Sequence, residues 1–316
     1  MTLKSILFSA ALILSSQAHA DNLFKLTQKP LTINQCPITA TGNAFDLALL
    51  NPGYFVVSSG KKNSELLFTR FGRLYLDADD YLRTDWGDYL LGITKKSAPK
   101  HLNKIKIPTK NLAPKATSKI KMGANLPAMA IEGDSYVASS ILFDSLSNTD
   151  ELTVKLTKTG VGMWKAEVFV GKVMLDEGTL RFNANGALTK QEGLHHVQWP
   201  TNSGIQQLKI DFKESTQYAI PFSLFFMHQD GYGVGLFTTA MVTINGEIDL
   251  LYSNGQSKVL KNQIAVALFT NPSYLENVIS HLYRPTEKSG LPRLYWKNSE
   301  HAVLSGYLEE EPCIAH

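Results

Sequence analysis

The sequence predicts an all-β protein, and three observations carry that reading. Short segments alternate apolar with polar residues; they are rich in β-branched and aromatic side chains and end at turn residues; and no stretch sustains the 3.6-residue apolar period of an amphipathic helix. The clearest case is Val242 and Ile244, then Asn245-Gly246, then Ile248, Leu250 and Tyr252: the alternation enters the dipeptide and leaves it in phase. Asn-Gly tolerates positive φ, so a two-residue type I′ turn is expected, with a twist that matches the flanking strands. Asn254-Gly255 and Asn185-Gly186 repeat the device, which points to antiparallel, hairpin-rich sheets.

From the N-terminus, residues 1–20 carry Lys4, an apolar run from Ile6 to Leu14 and the triplet Ala18-His19-Ala20, the three-part pattern of a secretory signal. Cleavage after Ala20 and delivery to the periplasm or the extracellular space are expected. The apolar run is about half the length of a membrane-spanning helix, and nothing later approaches a span of about 18 apolar residues, so no transmembrane segment is expected. With Lys4 removed, 30 basic side chains face 28 acidic ones, a balance too even for a nucleic-acid surface. Roughly 296 residues remain, the usual length of two domains with ordinary cores.

Cys36 and Cys313 lie near the two ends of the mature chain. In an oxidising compartment an even count favours a Cys36–Cys313 disulfide that staples the termini, with two separate thiols as the other reading. So long a loop would gain up to about 5 kcal/mol on chain-entropy grounds. The acidic run Asp77-Ala78-Asp79-Asp80 has the alternate carboxylates of a calcium loop but lacks the glycine and the bidentate glutamate, and it stands between two strand-like segments; a hairpin turn is expected. Residues 97–127, rich in Lys and Pro, and residues 195–204 read as joints. They divide the mature chain into a discontinuous domain of residues 21–126 and 229–316 and a second β domain, 127–228, inserted in it. No internal repeat is present.

The search for chemistry assigns no catalytic residue, metal ligand or cofactor. His-Glu-x-x-His, Cys-x-x-Cys, the Gly-x-Ser-x-Gly elbow and the phosphate-cradling glycine loop are all missing. His195-His196 is the one histidine cluster, and adjacent residues of an extended chain point to opposite faces, which does not suit a shared metal.

Laid out in order, several segments resemble the bacterial flagellar hook protein family. TGNAFDLAL over 41–49, GYFVV over 53–57, FTRFGRLYLD over 68–77, YLRT over 81–84 and GDYLLG over 87–92 form a block shared with flagellar rod proteins. FDSLSNT over 143–149, LTVKLTKTG over 152–160, Trp164 and GTLRFNANGAL over 178–188 are more particular to the hook protein, and QDGYG over 229–233, YSNGQ over 252–256 and QIAVALFTNP over 263–272 complete the series. The resemblance implies a hook-type β domain with an inserted domain, and a structural, non-enzymatic role without cofactors. It also implies protein partners: subunits of a flagellum or a related envelope-spanning or secretion machine, with self-association as a further expectation. The family's long terminal helices have no counterpart in residues 21–40, interrupted by Pro30 and Pro37, or in the eight residues after Leu308. Hook polymerisation by the usual route is therefore not expected. A second reading is a periplasmic binding module for cell-wall glycan, with Trp86, Trp199 or Trp296 as exposed platforms; a hydrolase is a third.

Overall fold

A computed structural model describes residues 37–61, 65–94, 101–279, 281–295 and 302–310. Apart from one 3-10 turn at Pro272–Tyr274 their regular structure is all β-strand, as the sequence predicts, and no α-helix occurs among them. The chain divides into two compact units. One holds the described residues up to Pro108, Ala240–Asp249 and those from Val259 onward; the other holds Thr109–Thr239 and Leu250–Lys258.

In the second unit five strands follow one another as an antiparallel meander: Ser135–Phe143, Thr149–Gly160, Met163–Val170, Val173–Phe182 and Leu188–Glu192. The alternation is direct. Leu152, Val154 and Leu156 face inward, and the register sets them opposite Val170, Val168 and Ala166, while Lys158 meets Trp164. A four-stranded sheet runs in the order Val197–Thr201, Gly204–Asp211, Lys119–Asn125, Ser223–Gln229. Its central pair is parallel, with Lys209 opposite Lys119, and the other pairs are antiparallel. Both sheets contribute to one core that includes Trp164, Trp199, Phe212 and Met122.

In the first unit Tyr54–Ser58 lies between Leu66–Thr69 and Tyr89–Thr94 and also pairs with Val266–Leu268. All five of its residues are buried, which explains a continuous apolar run where a half-exposed strand would alternate. Tyr54, Phe68, Phe269 and Tyr283 pack edge to face, with the Phe68 and Phe269 ring centres 4.9 Å apart. The two ends of the described chain are joined. Ile38–Ala40 pairs with Tyr307–Glu309, and Leu47–Leu49 pairs with Val303–Ser305.

The Asn-Gly hairpins form where expected, but with a different turn. At Asn183, Thr243 and Tyr252 the first residue's N–H bonds the carbonyl four residues on, and its own carbonyl accepts from the glycine three residues on. Only the glycines, Gly186, Gly246 and Gly255, have positive φ. This is a type I turn closed by a residue in the left-handed region, and it twists the strands in the same sense as type I′ while leaving the asparagine in an ordinary conformation. The same bonds recur at Asp77, Thr84 and Asp144. There the left-handed position falls on Asp80 (φ 67°), Gly87 and Ser147 (φ 73°).

Residues 195–204, expected to be a loop, are mostly a hairpin: Val197–Thr201 and Gly204–Asp211 meet with Thr201 opposite Gly204. Val197 and Trp199 point inward between exposed neighbours, a period-2 signal that Pro200 conceals. Proline is tolerated there because the strand is at a sheet edge and its missing N–H removes no ladder bond. Of the other joint, Lys119–Asn125 is likewise a regular strand, whereas 105–118 carries only isolated bridges such as Leu112 to Gly235 and Lys115 to Tyr232.

Candidate interaction surfaces

The carboxylates that first suggest chemistry are engaged in holding turns. Asp77 accepts from the N–H groups of Asp79 and Tyr81 and pairs with Arg83. Burial by itself would raise its carboxyl, but these donors outweigh burial and lower it. The 77–81 segment is the hairpin turn expected from the sequence.

Asp144 is the richer case. Its Oδ1 accepts from Leu146 and Asn148 N–H at 2.9 and 2.8 Å, and its Oδ2 accepts from the Asn148 amide at 2.9 Å and the Ser203 hydroxyl at 3.1 Å. It borders a cavity of about 420 Å³ also lined by Asn148, Thr149, Asp150, Trp199 and Asn202. The Asn148 side chain leads the donors that hold Asp144 below the usual carboxylate range. Asp150 accepts from the Trp199 indole N–H at 3.2 Å. A glycosidase needs one carboxyl raised to serve as acid. Asp144 is shifted the other way, which does not suit it to the role of that acid.

Three of the hook-like segments converge in the second unit. Thr117 donates from its hydroxyl to Gln229 at 3.0 Å and receives Phe143 N–H on the same oxygen at 3.0 Å, joining FDSLSNT to QDGYG. Asp230 accepts from the Ser118 and Lys119 N–H groups, both at 2.8 Å, and from Ser118 Oγ and Lys115 Nζ, both at 2.9 Å. Burial opposes these contacts, yet they hold its carboxyl far below the usual range. Ser147 Oγ accepts Val234 N–H at 3.0 Å, and the Asn254 amide donates to Gly233 C=O at 2.7 Å.

A comparable junction ties the ends of the first unit. Arg70 donates to Glu309 through Nε and Nη2 at 3.0 and 2.6 Å, and to the carbonyls of Leu49, Asn51 and Gly53 at 2.8–3.1 Å. Both side chains are buried. Burial raises the Glu309 carboxyl above its ordinary value, partly offset by Arg70 and by the Leu49 N–H. Sequence reasoning missed this pair because 239 residues separate its members and nothing local distinguishes Arg70 from a surface arginine.

Of the three tryptophans proposed as platforms, Trp199 is 1% exposed and belongs to the core, which overturns its reading as an exposed ring. Trp86 is 37% exposed and stands beside Phe71 and His281, ring centres 5.1 and 5.7 Å away. Trp296, Cys36 and Cys313 lie outside the described residues. His195 and His196 are both exposed.

Comparison with known proteins bears out the resemblance seen in the motifs. Residues 115–232 match the family described as flagellar basal body protein FlaE D2 domain. The flagellar hook protein FlgE of Rhizobium meliloti (strain 1021) is 27% identical over 293 residues, covering 86% of this chain and 71% of the relative. The flagellar hook protein FlgE of Escherichia coli (strain K12) is 26% identical, covering 81% and 69%. The crystal structure of Helicobacter pylori flagellar hook protein FlgE2 has the same fold, with a TM-score of 0.66 at 14% identity, over 86% of this chain and all of that one. These are structural proteins, not enzymes.

Proposed function

From its similarity to flagellar hook proteins along most of the chain, we propose that this protein is an extracytoplasmic, non-enzymatic component of a flagellum or a related envelope-spanning machine. It would act by protein–protein contacts through its β surfaces. The observation that carries the reading is the convergence of FDSLSNT, QDGYG and YSNGQ on one junction, where Asp144 and Asp230 serve as acceptors for neighbouring donors. Crosslinking in intact cells, followed by capture of the tagged mature protein, should recover flagellar or secretion-machine subunits. Recovery of no protein partner, together with retention on purified peptidoglycan, would replace this reading with the glycan-binding one, for which the half-open Trp86 ring is the remaining support.

Three further parts belong to this proposal. Export depends on residues 1–20, so the N-terminal residue of the mature protein should be Asp21. The organisation is a discontinuous hook-type domain of residues 21–126 and 229–316 interrupted by an inserted domain of residues 127–228. The compact unit that holds Thr109–Thr239 and Leu250–Lys258 supports an insertion in this region, and limited proteolysis should release the inserted domain as a resistant fragment. Cys36 and Cys313 form a disulfide. The register of Ile38–Ala40 with Tyr307–Glu309 and the 2.8 Å bond from Glu310 N–H to Pro37 C=O support it, because they hold the chain segments next to the two cysteines side by side. A non-reducing digest of protein from the envelope should yield the linked peptide; two free thiols would refute the bond.

A further inference from the structure

In the first unit, Leu74–Leu76, Leu82–Thr84, Tyr89–Thr94 and Leu102–Lys104 form a small antiparallel array. Leu74, Leu82, Leu90, Ile105 and Ile107 are buried. The residues that alternate with them, Tyr75, Tyr81, Arg83, Tyr89, Lys104 and Lys106, make up a second face on which cations and rings interleave. Register sets Tyr75 opposite Arg83, Arg83 opposite Tyr89 and Tyr81 opposite Lys106. The Arg83 guanidinium lies 3.6 Å from the Tyr89 ring centre, and the Lys104 ammonium lies 3.8 Å from the same centre. Lys106 stands 5.2 Å from the centre of Tyr81.

The charges on this face do not balance. Arg83 is matched by Asp77, whereas Lys104 and Lys106 have no carboxylate partner among the described residues. We propose that this face docks an extended acidic segment of a partner protein, one that carries carboxylates on alternate residues. Lys104 and Lys106 project on the same side of an extended strand, roughly 7 Å apart, which is the repeat of side chains two apart on an extended partner. Buried Ile105 between them keeps that spacing, and the rings hold the ammonium groups in place before binding, so less side-chain freedom is lost on contact. A stacked sugar fits less well, since Arg83 and Lys104 already crowd the Tyr89 ring. The inference deepens the structural reading by naming the chemistry of one partner, and it rests on that reading for the partner's being a protein.

Fluorescence anisotropy with the purified mature chain tests it. The probes are a labelled peptide of alternating Glu and Ser, an isomer with the same glutamates in one block, and an alginate oligomer. The alternating peptide should bind more tightly than both others and weaken as salt rises. K104Q/K106Q should reduce its affinity at least tenfold, and K104R/K106R should retain it; an unchanged Tm in both variants confirms folding. Three outcomes would overturn the proposal: no measurable binding of the peptide, equal binding of the block isomer or alginate, or undiminished binding by K104Q/K106Q. None of these touches the capture of machine subunits from crosslinked cells, so failure here is distinguishable from failure of the structural reading.

Discussion

The second unit anchors Asp144 and Asp230 in nests of N–H, amide and hydroxyl donors, joined at Asp230 by the half-exposed Lys115 ammonium, and both carboxyls are held below the usual range. The first unit places Glu309 against Arg70, a full opposite charge, and yet its carboxyl is raised. Number and direction of donors explain the low pair. Glu309 has one charged partner and one N–H, and it is buried deeply enough that desolvation prevails over attraction. A close ion pair is therefore not the same thing as a comfortable ion.

The largest test of this contrast is Arg70→Ala. It strands Glu309 and frees three carbonyls at the joined ends, and should cost about 3–5 kcal/mol in chemical denaturation. A cost under about 1 kcal/mol would mean that the junction is solvated in solution. Asp230→Ala comes next, at about 2 kcal/mol, because two charge-assisted N–H bonds lose their acceptor. Its effect should be confined to the second unit, as read by hydrogen exchange.

The pH dependence separates the two regions by sign. Asp144 and Asp230 are depressed in the folded state, so their stabilisation is complete above the ordinary aspartate value of about 4 and is lost as pH falls through their folded values. Glu309 is raised, so its contribution is complete below the ordinary glutamate value of about 4.3 and is lost as pH rises through its folded value. In thermal melts across pH 2–8, Asp230→Asn should flatten the acid limb, and Glu309→Gln should remove a decline on the less acidic side. A Glu309→Gln effect confined to the acid limb would contradict the assignment. The smallest effect concerns Ser147, which occupies the left-handed region and accepts Val234 N–H. Ser147→Gly trades backbone relief of about 1 kcal/mol for a bond of similar worth and should be near neutral. Ser147→Ala keeps the backbone cost, loses the bond and should destabilise by about 1 kcal/mol.

Much of the architecture was legible in the chain. Val242, Ile248, Leu250 and Tyr252 are buried as their alternation predicts, and Asp77–Asp80 forms a turn. The turn type was not legible, because Asn-Gly suits both type I′ and the type I turn with a left-handed fourth residue, and the choice depends on how many residues the paired strands leave between them. The 195–204 hairpin was hidden by Pro200, whose harmlessness depends on an edge position that only the sheet order reveals. Trp199 looked like an exposed platform for the same reason. Its burial and its bond to Asp150 come from packing between sheets. Lys104 and Lys106 read as part of a Lys-rich joint, and their relation to Tyr81 and Tyr89 required the pairing of strands.

By itself the sequence determined the all-β class, the positions of the hairpins and the likeness to hook proteins, because alternation and turn chemistry are local and each is settled within a few residues. The tertiary structure alone decided that Arg70 meets Glu309, that Thr117 joins Phe143 to Gln229, and that Lys104 and Lys106 have no carboxylate partner among the described residues. Those outcomes depend on which strands become neighbours, and the burial and donor geometry that make a charge costly or well held exist only once distant segments have come together.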